Sequence, residues 1–209
     1  MSDILYIKAS PRTKRSYSIA VAEAFVDSYR QIHPEDDIKT IDVFKGSLPA
    51  FDLKAATAKY KIMHNEEHSQ EDRQVWGKIV SVIEQFKSAD KYVMAVPMWN
   101  FSIPYRLKQY IDIIVQPAHT FSVTEDGNYE GLVKDKPVFI TYARGGEYSS
   151  QANKTFDMQT NYLELILGFI GLSDIRSVVV EPTLAGGPDA AKQRQAEAIE
   201  KARRMAKEF

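Results

Sequence analysis

The sequence predicts an α/β protein: a doubly wound, five-stranded parallel sheet with helices on both faces and a β-hairpin insertion. Three observations predict it. Five short runs rich in apolar, β-branched and aromatic residues are spread along the chain, the segments between them carry apolar residues three or four apart, and three of the runs end in loops of unusual composition. Parallel pairing needs long crossovers, and a strand covered by helices on both sides reads as a continuous apolar run. At 209 residues the chain is expected to form one domain over 1–209.

The elements follow in order. Ile4 to Lys8 (ILYIK) is a first strand that ends in Ala9-Ser10-Pro11. From Ser18 the spacing of Ile19, Ala22, Phe25, Val26 and Tyr29 predicts a helix that stops at His33-Pro34. Ile38 to Val43 makes a second strand, and the polar stretch from Lys45 to Arg73 holds one or two helices. Val75 to Phe86 has helical spacing, Lys91 to Val96 is the third strand, and a helix runs from about Ile103 or Pro104 to Val115. Phe121 to Tyr129 is a hairpin signal, because Asp126-Gly127 supplies the positive φ of a tight turn. Val138 to Tyr142 and Ile175 to Val180 are strands four and five, separated by a helix over roughly Phe156 to Phe169, and a last helix spans about Pro188 to Lys207.

Composition narrows the function. Lys and Arg number 27 against 28 for Asp and Glu, so no global field points to nucleic acid or to an anionic membrane. The absence of cysteine excludes disulfides, thiolate metal sites and a Cys nucleophile, so redox work needs a bound cofactor. No apolar run reaches the length of a membrane span and no signal segment is recognised, so a cytoplasmic location is expected.

In doubly wound sheets, ligands bind outside the carboxyl ends of the strands, where the three unusual loops fall. The first, Ser10 to Ser18, sets hydroxyls and cationic side chains before a helix N-terminus, which favours a phosphate; a solvated loop whose Ser16 or Ser18 caps the helix is the competing reading. Neither G-x-G-x-x-G nor the P-loop pattern occurs. The second, Pro97-Met98-Trp99-Asn100-Phe101-Ser102-Ile103-Pro104, concentrates apolar groups on a rim, as a flat heterocycle would require; the alternative folds Trp99 and Phe101 back into the core. The third, Ala143-Arg144-Gly145-Gly146, offers consecutive amides and little side chain, which suits developing negative charge; read alone it is an ordinary turn.

Together these pieces resemble the FMN-dependent NADH azoreductase and NADH:quinone oxidoreductase family, over nearly the whole chain. The matching segments are Ser10 with Ser16-x-Ser18, PMWNFSIPYRLKQYID (97–112), TFSVTEDGNYEGLV (120–133), Arg144-Gly145-Gly146 and LGFIGL (167–172). The resemblance implies a flavodoxin-like fold and a homodimer with its active site at the interface. It also implies one FMN per subunit, held by Ser10, Ser16, Tyr17, Ser18, Pro97, Met98, Trp99, Asn100, Phe101, Ala143, Arg144, Gly145 and Gly146. Phe121 and Phe169 would line the substrate site, partly from the opposite subunit. NADH or NADPH would donate two electrons in a ping-pong cycle, with quinones or aromatic azo compounds as acceptors. Hydride chemistry at FMN N5 leaves no essential catalytic side chain and no metal. Trp99 stands where Tyr is common and Ala143 where Ser is common, and Glu147 to Lys154 is longer than the family pattern.

Three other readings compete. His64-Asn-Glu-Glu-His68 matches H-x-x-E-H, which on a helix would set two imidazoles for zinc with Glu67 as base. A flavodoxin-type single-electron carrier would also hold FMN, although such carriers are strongly acidic and this chain is not. An FAD-dependent quinone reductase of the same fold needs room for an adenylate, whereas the first loop suits a terminal phosphate.

Overall fold

A computed structural model describes residues 1–209. Strand β1 (Asp3–Lys8) leads into helix α1 (Tyr17–Ile32), then β2 (Asp37–Asp42), α2 (Leu53–Met63), α3 (Gln70–Lys87), β3 (Lys91–Pro97) and α4 (Tyr105–Ile114). The hairpin strands β4 (Phe121–Val123) and β5 (Tyr129–Gly131) follow, then β6 (Val138–Ala143), α5 (Met158–Phe169), β7 (Ile175–Val180) and α6 (Gly187–Met205). Five strands form one parallel sheet in the order β2-β1-β3-β6-β7, with the hairpin apart from it. The order reverses between β1 and β3, which opens the crevice where such sheets bind ligands.

The pleat explains the two cores. Leu5 and Ile7 of β1 point to the layer built by α2, α3, α4 and α5, where Trp76, Ile79, Leu107, Ile111, Leu163 and Leu167 are buried. Ile4 and Tyr6 point the other way, to Ile19, Phe25, Ala198 and Ala202 of α1 and α6. On that side Phe25 stacks on Phe139 of β6 with centroids 3.8 Å apart.

Strand β2 departs from the expectation of burial on both faces. It is an edge strand with Lys39 and Thr40 exposed, and Lys39 pairs with Asp3 at 3.0 Å across to β1. Charge on an edge discourages pairing with other chains. Helix α3 starts five residues before the expected Val75, because its first turn is polar and is closed by a capping box instead of an apolar stripe: Ser69 Oγ accepts from the Asp72 amide and Asp72 accepts from the Ser69 amide.

His64 to His68 is not helical. α2 ends at Met63, His64 is its C-cap, and Asn65 takes a left-handed φ of 53°. The segment is the turn between α2 and α3, so the single helical face that a zinc-binding H-x-x-E-H requires is not formed. His68 Nδ1 instead lies 2.8 Å from the Glu66 carbonyl.

The capping box carries a pH dependence. Hydrogen bonds from the Ser69 backbone, the Lys61 ammonium and the Ser69 hydroxyl lower the Asp72 pKa from 3.8 to about 2. A pKa depressed on folding means stabilisation that is present above the ordinary carboxylate range and lost as pH falls towards 2. A carboxyl-carbon NMR titration is expected to put the Asp72 midpoint near 2, and Asp72→Asn is expected to flatten the stability curve in that window. A midpoint near 4 would mean that the box does not hold in solution.

Candidate functional site

The loops after β1, β3, β6 and β7 meet at one sheet end around a crevice of about 130 Å³ that is open to solvent. Its walls are Ser10, Arg12, Ser16, Tyr17, Pro97, Met98, Trp99, Ala143, Gly145, Thr183 and Leu184.

At one end stands the N-terminus of α1. Ser16 is the N-cap, its Oγ accepting from the Ile19 amide at 3.4 Å and lying 3.2 Å from Ser18 Oγ. The capping reading of the first loop is therefore correct for Ser16, and it coexists with the crevice: Ser10, Ser16 and Ser18 are buried, while the Tyr17 and Ser18 amides donate to no group of the protein. Free first-turn amides, hydroxyls and the positive end of the helix dipole make a cradle for an anion. Thr141 Oγ1 of β6 fixes the cradle by donating to the Ser18 carbonyl at 2.8 Å.

The wall after β3 is a tight reverse turn. Trp99 and Ser102 exchange both backbone hydrogen bonds, at 2.8 and 2.9 Å, around Asn100 and Phe101, whose φ values are 48° and 69°. Two consecutive left-handed residues define the primed hairpin turn. Asn tolerates that conformation; for Phe it is strained, a cost of about 1–3 kcal/mol that clusters at functional sites. Pro97 precedes the turn and Pro104 caps α4 behind it, and the Asn100 and Phe101 amides are free. Trp99 is half-buried against Phe44 and Tyr105, with centroids 5.6 and 6.2 Å away, whereas Phe101 is 48% exposed, which excludes a core role for it.

Loop 143–146 contributes backbone. Met98 N–H donates to the Ala143 carbonyl, and the Gly145 carbonyl accepts from Leu184 and Ala185, while the Gly145 and Gly146 amides point to no acceptor in the chain. The glycines make room mainly for protein: a Cβ on Gly145 would lie 2.9 Å from Leu184 Cδ1, and one on Gly146 would lie 3.3 Å from Tyr148 Cε2. Leu184 is itself 77% exposed, so this wall can yield to a ligand. Arg144 does not line the crevice. Its guanidinium is buried, donating to Gln159 Oε1 at 3.0 Å, Asp157 Oδ2 at 2.8 Å, Glu181 Oε2 at 3.3 Å and Thr160 Oγ1.

The crevice thus gathers Ser10, Ser16, Tyr17, Pro97, Met98, Trp99, Ala143 and Gly145. Ser18, Asn100, Phe101, Arg144 and Gly146 stand beside it without lining it. Phe121 and Phe169 lie elsewhere in the protomer, packed with Tyr129 at 4.8 to 5.9 Å against the hairpin. Thr183 and Leu184 went unpredicted: Glu181-Pro182-Thr183-Leu184 has no hydroxyl or aromatic cluster, and only its position after β7 marks it.

Residues 2–206 match a family described as having the flavodoxin-like fold. The chain is 55% identical over 210 residues to the FMN-dependent NADH:quinone oxidoreductase of Nitratidesulfovibrio vulgaris strain Hildenborough, covering 100% of both. It is 38% identical to the protein of that name from Geobacillus kaustophilus, again over 100% of both. Among solved structures it superposes on the azoreductase from Bacillus anthracis str. Sterne with a TM-score of 0.92 at 30% identity, covering 100% of both chains. With the FMN-dependent NADH-azoreductase from Bacillus anthracis str. Ames Ancestor, solved in complex with FMN, the TM-score is 0.87 at 30% identity, over 99% of this chain and 100% of that one. The chain therefore belongs to the flavodoxin-like family of FMN-dependent NADH:quinone oxidoreductases and azoreductases.

Proposed function

We propose that this chain binds one FMN per subunit and uses NADH or NADPH to reduce quinones and aromatic azo compounds by two electrons in a ping-pong cycle, as a cytoplasmic homodimer. One observation carries the reading: the buried Ser10 and Ser16 at a helix N-terminus, Met98 and Trp99 of the aromatic turn and the Gly145 backbone share one crevice, as a molecule with a phosphate tail and a flat ring requires. The residues fit that cofactor. Ser10, Ser16, Ser18 and the α1 amides would hold the phosphate, Met98 and Trp99 would pack against the ring, and the free amides of the 100–101 turn and of Gly145 and Gly146 would supply hydrogen-bond donors to it.

When bound, FMN would supply the two-electron hydride chemistry between the nicotinamide and the acceptor. The chain orients and shields. Pro97 and Pro104 stiffen the turn, the Trp99-Phe44-Tyr105 group excludes water from one side, and the glycine amides favour negative charge where they point. Arg12 and Tyr17 are the lining residues with titratable side chains.

Phe121 and Phe169 do not reach the crevice of their own protomer, so their proposed role is to close the site of a second copy. The exposed Tyr129, Leu132 and Leu165 beside them give that contact an apolar surface. No helix is long and apolar enough to cross a membrane.

Steady-state kinetics with NADH and a soluble quinone separate this reading from the electron carrier. Sustained NADH oxidation with parallel double-reciprocal lines is expected. Reduction of bound FMN with no turnover of the quinone would favour the carrier.

A further inference from the structure

The Arg144 guanidinium is 2% exposed, yet it sits in the middle of the site's support. Its acceptors come from two segments, the N-terminal turn of α5 and the residue after β7. Asp157 and Thr160 are the N-cap and first turn of α5, Gln159 also donates to the Val96 carbonyl at 3.0 Å just before the aromatic turn, and Glu181 follows β7. Glu181 in turn accepts from the Tyr148 and Ser149 amides, both at 3.0 Å, one residue beyond the glycine pair. Arg144 and Glu181 therefore clamp Gly145 and Gly146 from before and behind, while Gln159 ties the same knot to the strand that leads into the Trp99 turn. The Tyr142 ring lies 5.6 Å beneath the guanidinium and closes it off from below.

A planar fork with donors in fixed directions suits this job, because several acceptors on separate segments must be held at once. Resting on the FMN reading above, we infer that Arg144 is a positioning residue, which sets the aim of the Gly145 and Gly146 amides at the cofactor through Glu181 and Gln159 and so favours the reduced cofactor without touching it. Donors aimed where charge develops stabilise the charged form more than the neutral one, so loosening their aim weakens binding of the reduced cofactor more than of the oxidised one. A difference in affinity between the two forms is a change in reduction potential. A contact to the phosphate acts on both forms alike and leaves the potential where it was.

The test compares Arg144→Lys and Glu181→Gln with Ser16→Ala. Three quantities are measured: the melting temperature of the apoprotein, the Kd for FMN, and the two-electron midpoint potential of the bound cofactor. Arg144→Lys keeps the charge but loses the fork; Glu181→Gln keeps the shape and one acceptor oxygen but loses the charge. For both, the expected result is a midpoint potential more negative than wild type, with Kd for oxidised FMN raised at least about tenfold in Arg144→Lys. Ser16→Ala is expected to raise Kd with an unmoved potential. Should Arg144→Lys fail to fold, Glu181→Gln carries the comparison. Folded variants that bind FMN at the wild-type potential would overturn the assignment and reduce the knot to a packing device. A wild-type protein that takes up no FMN would instead overturn the cofactor reading itself, so the two failures are distinct.

Discussion

Gly131→Ala is expected to lower stability by about 3 kcal/mol and the melting temperature by roughly 6–12 °C, the largest effect of any glycine substitution in this chain. A Cβ there would lie 2.3 Å from both the Gly171 nitrogen and the Ile170 carbonyl carbon, and 2.6 Å from Gly171 Cα. These are backbone atoms and cannot rotate away. The close approach continues on both sides: Val133 N–H donates to the Ile170 carbonyl at 2.8 Å, and a Cβ on Gly171, at φ 110°, would meet the Val133 carbonyl oxygen at 2.9 Å. Two glycines thus allow the hairpin to seat on the turn that ends α5, and that seat brings Phe121 and Tyr129 against Phe169. Gly168→Ala is the control, since nothing lies within 4 Å of its added methyl and it sits inside α5. It is expected to be neutral or stabilising by up to about 1 kcal/mol. Equal melting curves for Gly131→Ala and wild type would show that the hairpin is not seated in this way.

The second large effect concerns the cradle. Hydrogen bonds to a charged group contribute about 1.5–3 kcal/mol each, so Ser16→Ala with Ser18→Ala is expected to weaken FMN binding on the order of a hundredfold or more. Loss of the Ser16 cap also costs about 1 kcal/mol of stability, which by itself would lower affinity for any ligand of the folded state only slightly. Riboflavin separates the two effects, because it has the ring and not the phosphate. Fluorescence titration of the apoprotein is expected to show FMN affinity falling towards that for riboflavin, with riboflavin affinity unchanged. If both affinities fell together, the serines would be supporting the fold and not a phosphate.

The alternation of apolar runs with helical spacing made the sheet legible in the sequence, since a buried parallel strand and its crossover helix leave different periods. Burial of β2 was misjudged for a local reason. Ile38 and Ile41 pack one against each core while Lys39 and Thr40 between them stay exposed, and a short strand with two isoleucines reads alike at an edge or in the middle. The start of α3 was hidden because its first turn is held by Ser69 and Asp72 and has no apolar stripe; the S-x-x-D spacing was the available signal. The non-helical path of His64 to His68 depends on Asn65 adopting positive φ, a choice one residue makes without marking its neighbours.

The site was legible as three loops but not as an arrangement. Hydroxyl, aromatic and glycine clusters announce themselves by composition, and the structure brings them to one crevice. The side chain of Arg144 is different: nothing in Ala-Arg-Gly-Gly tells a guanidinium aimed at a ligand from one turned inward, because Asp157, Gln159 and Glu181 are 13, 15 and 37 residues away. Thr183 and Leu184 join the wall only because β7 lies beside β6 in the sheet.

The most direct measurement is an absorption titration of the apoprotein with FMN, followed by anaerobic addition of NADH. Saturable binding at one FMN per chain, with a shifted flavin band that bleaches on NADH, is the predicted result. A protein that stays colourless after removal of free FMN, or a bound flavin that NADH leaves fully oxidised, would contradict the assignment of this crevice.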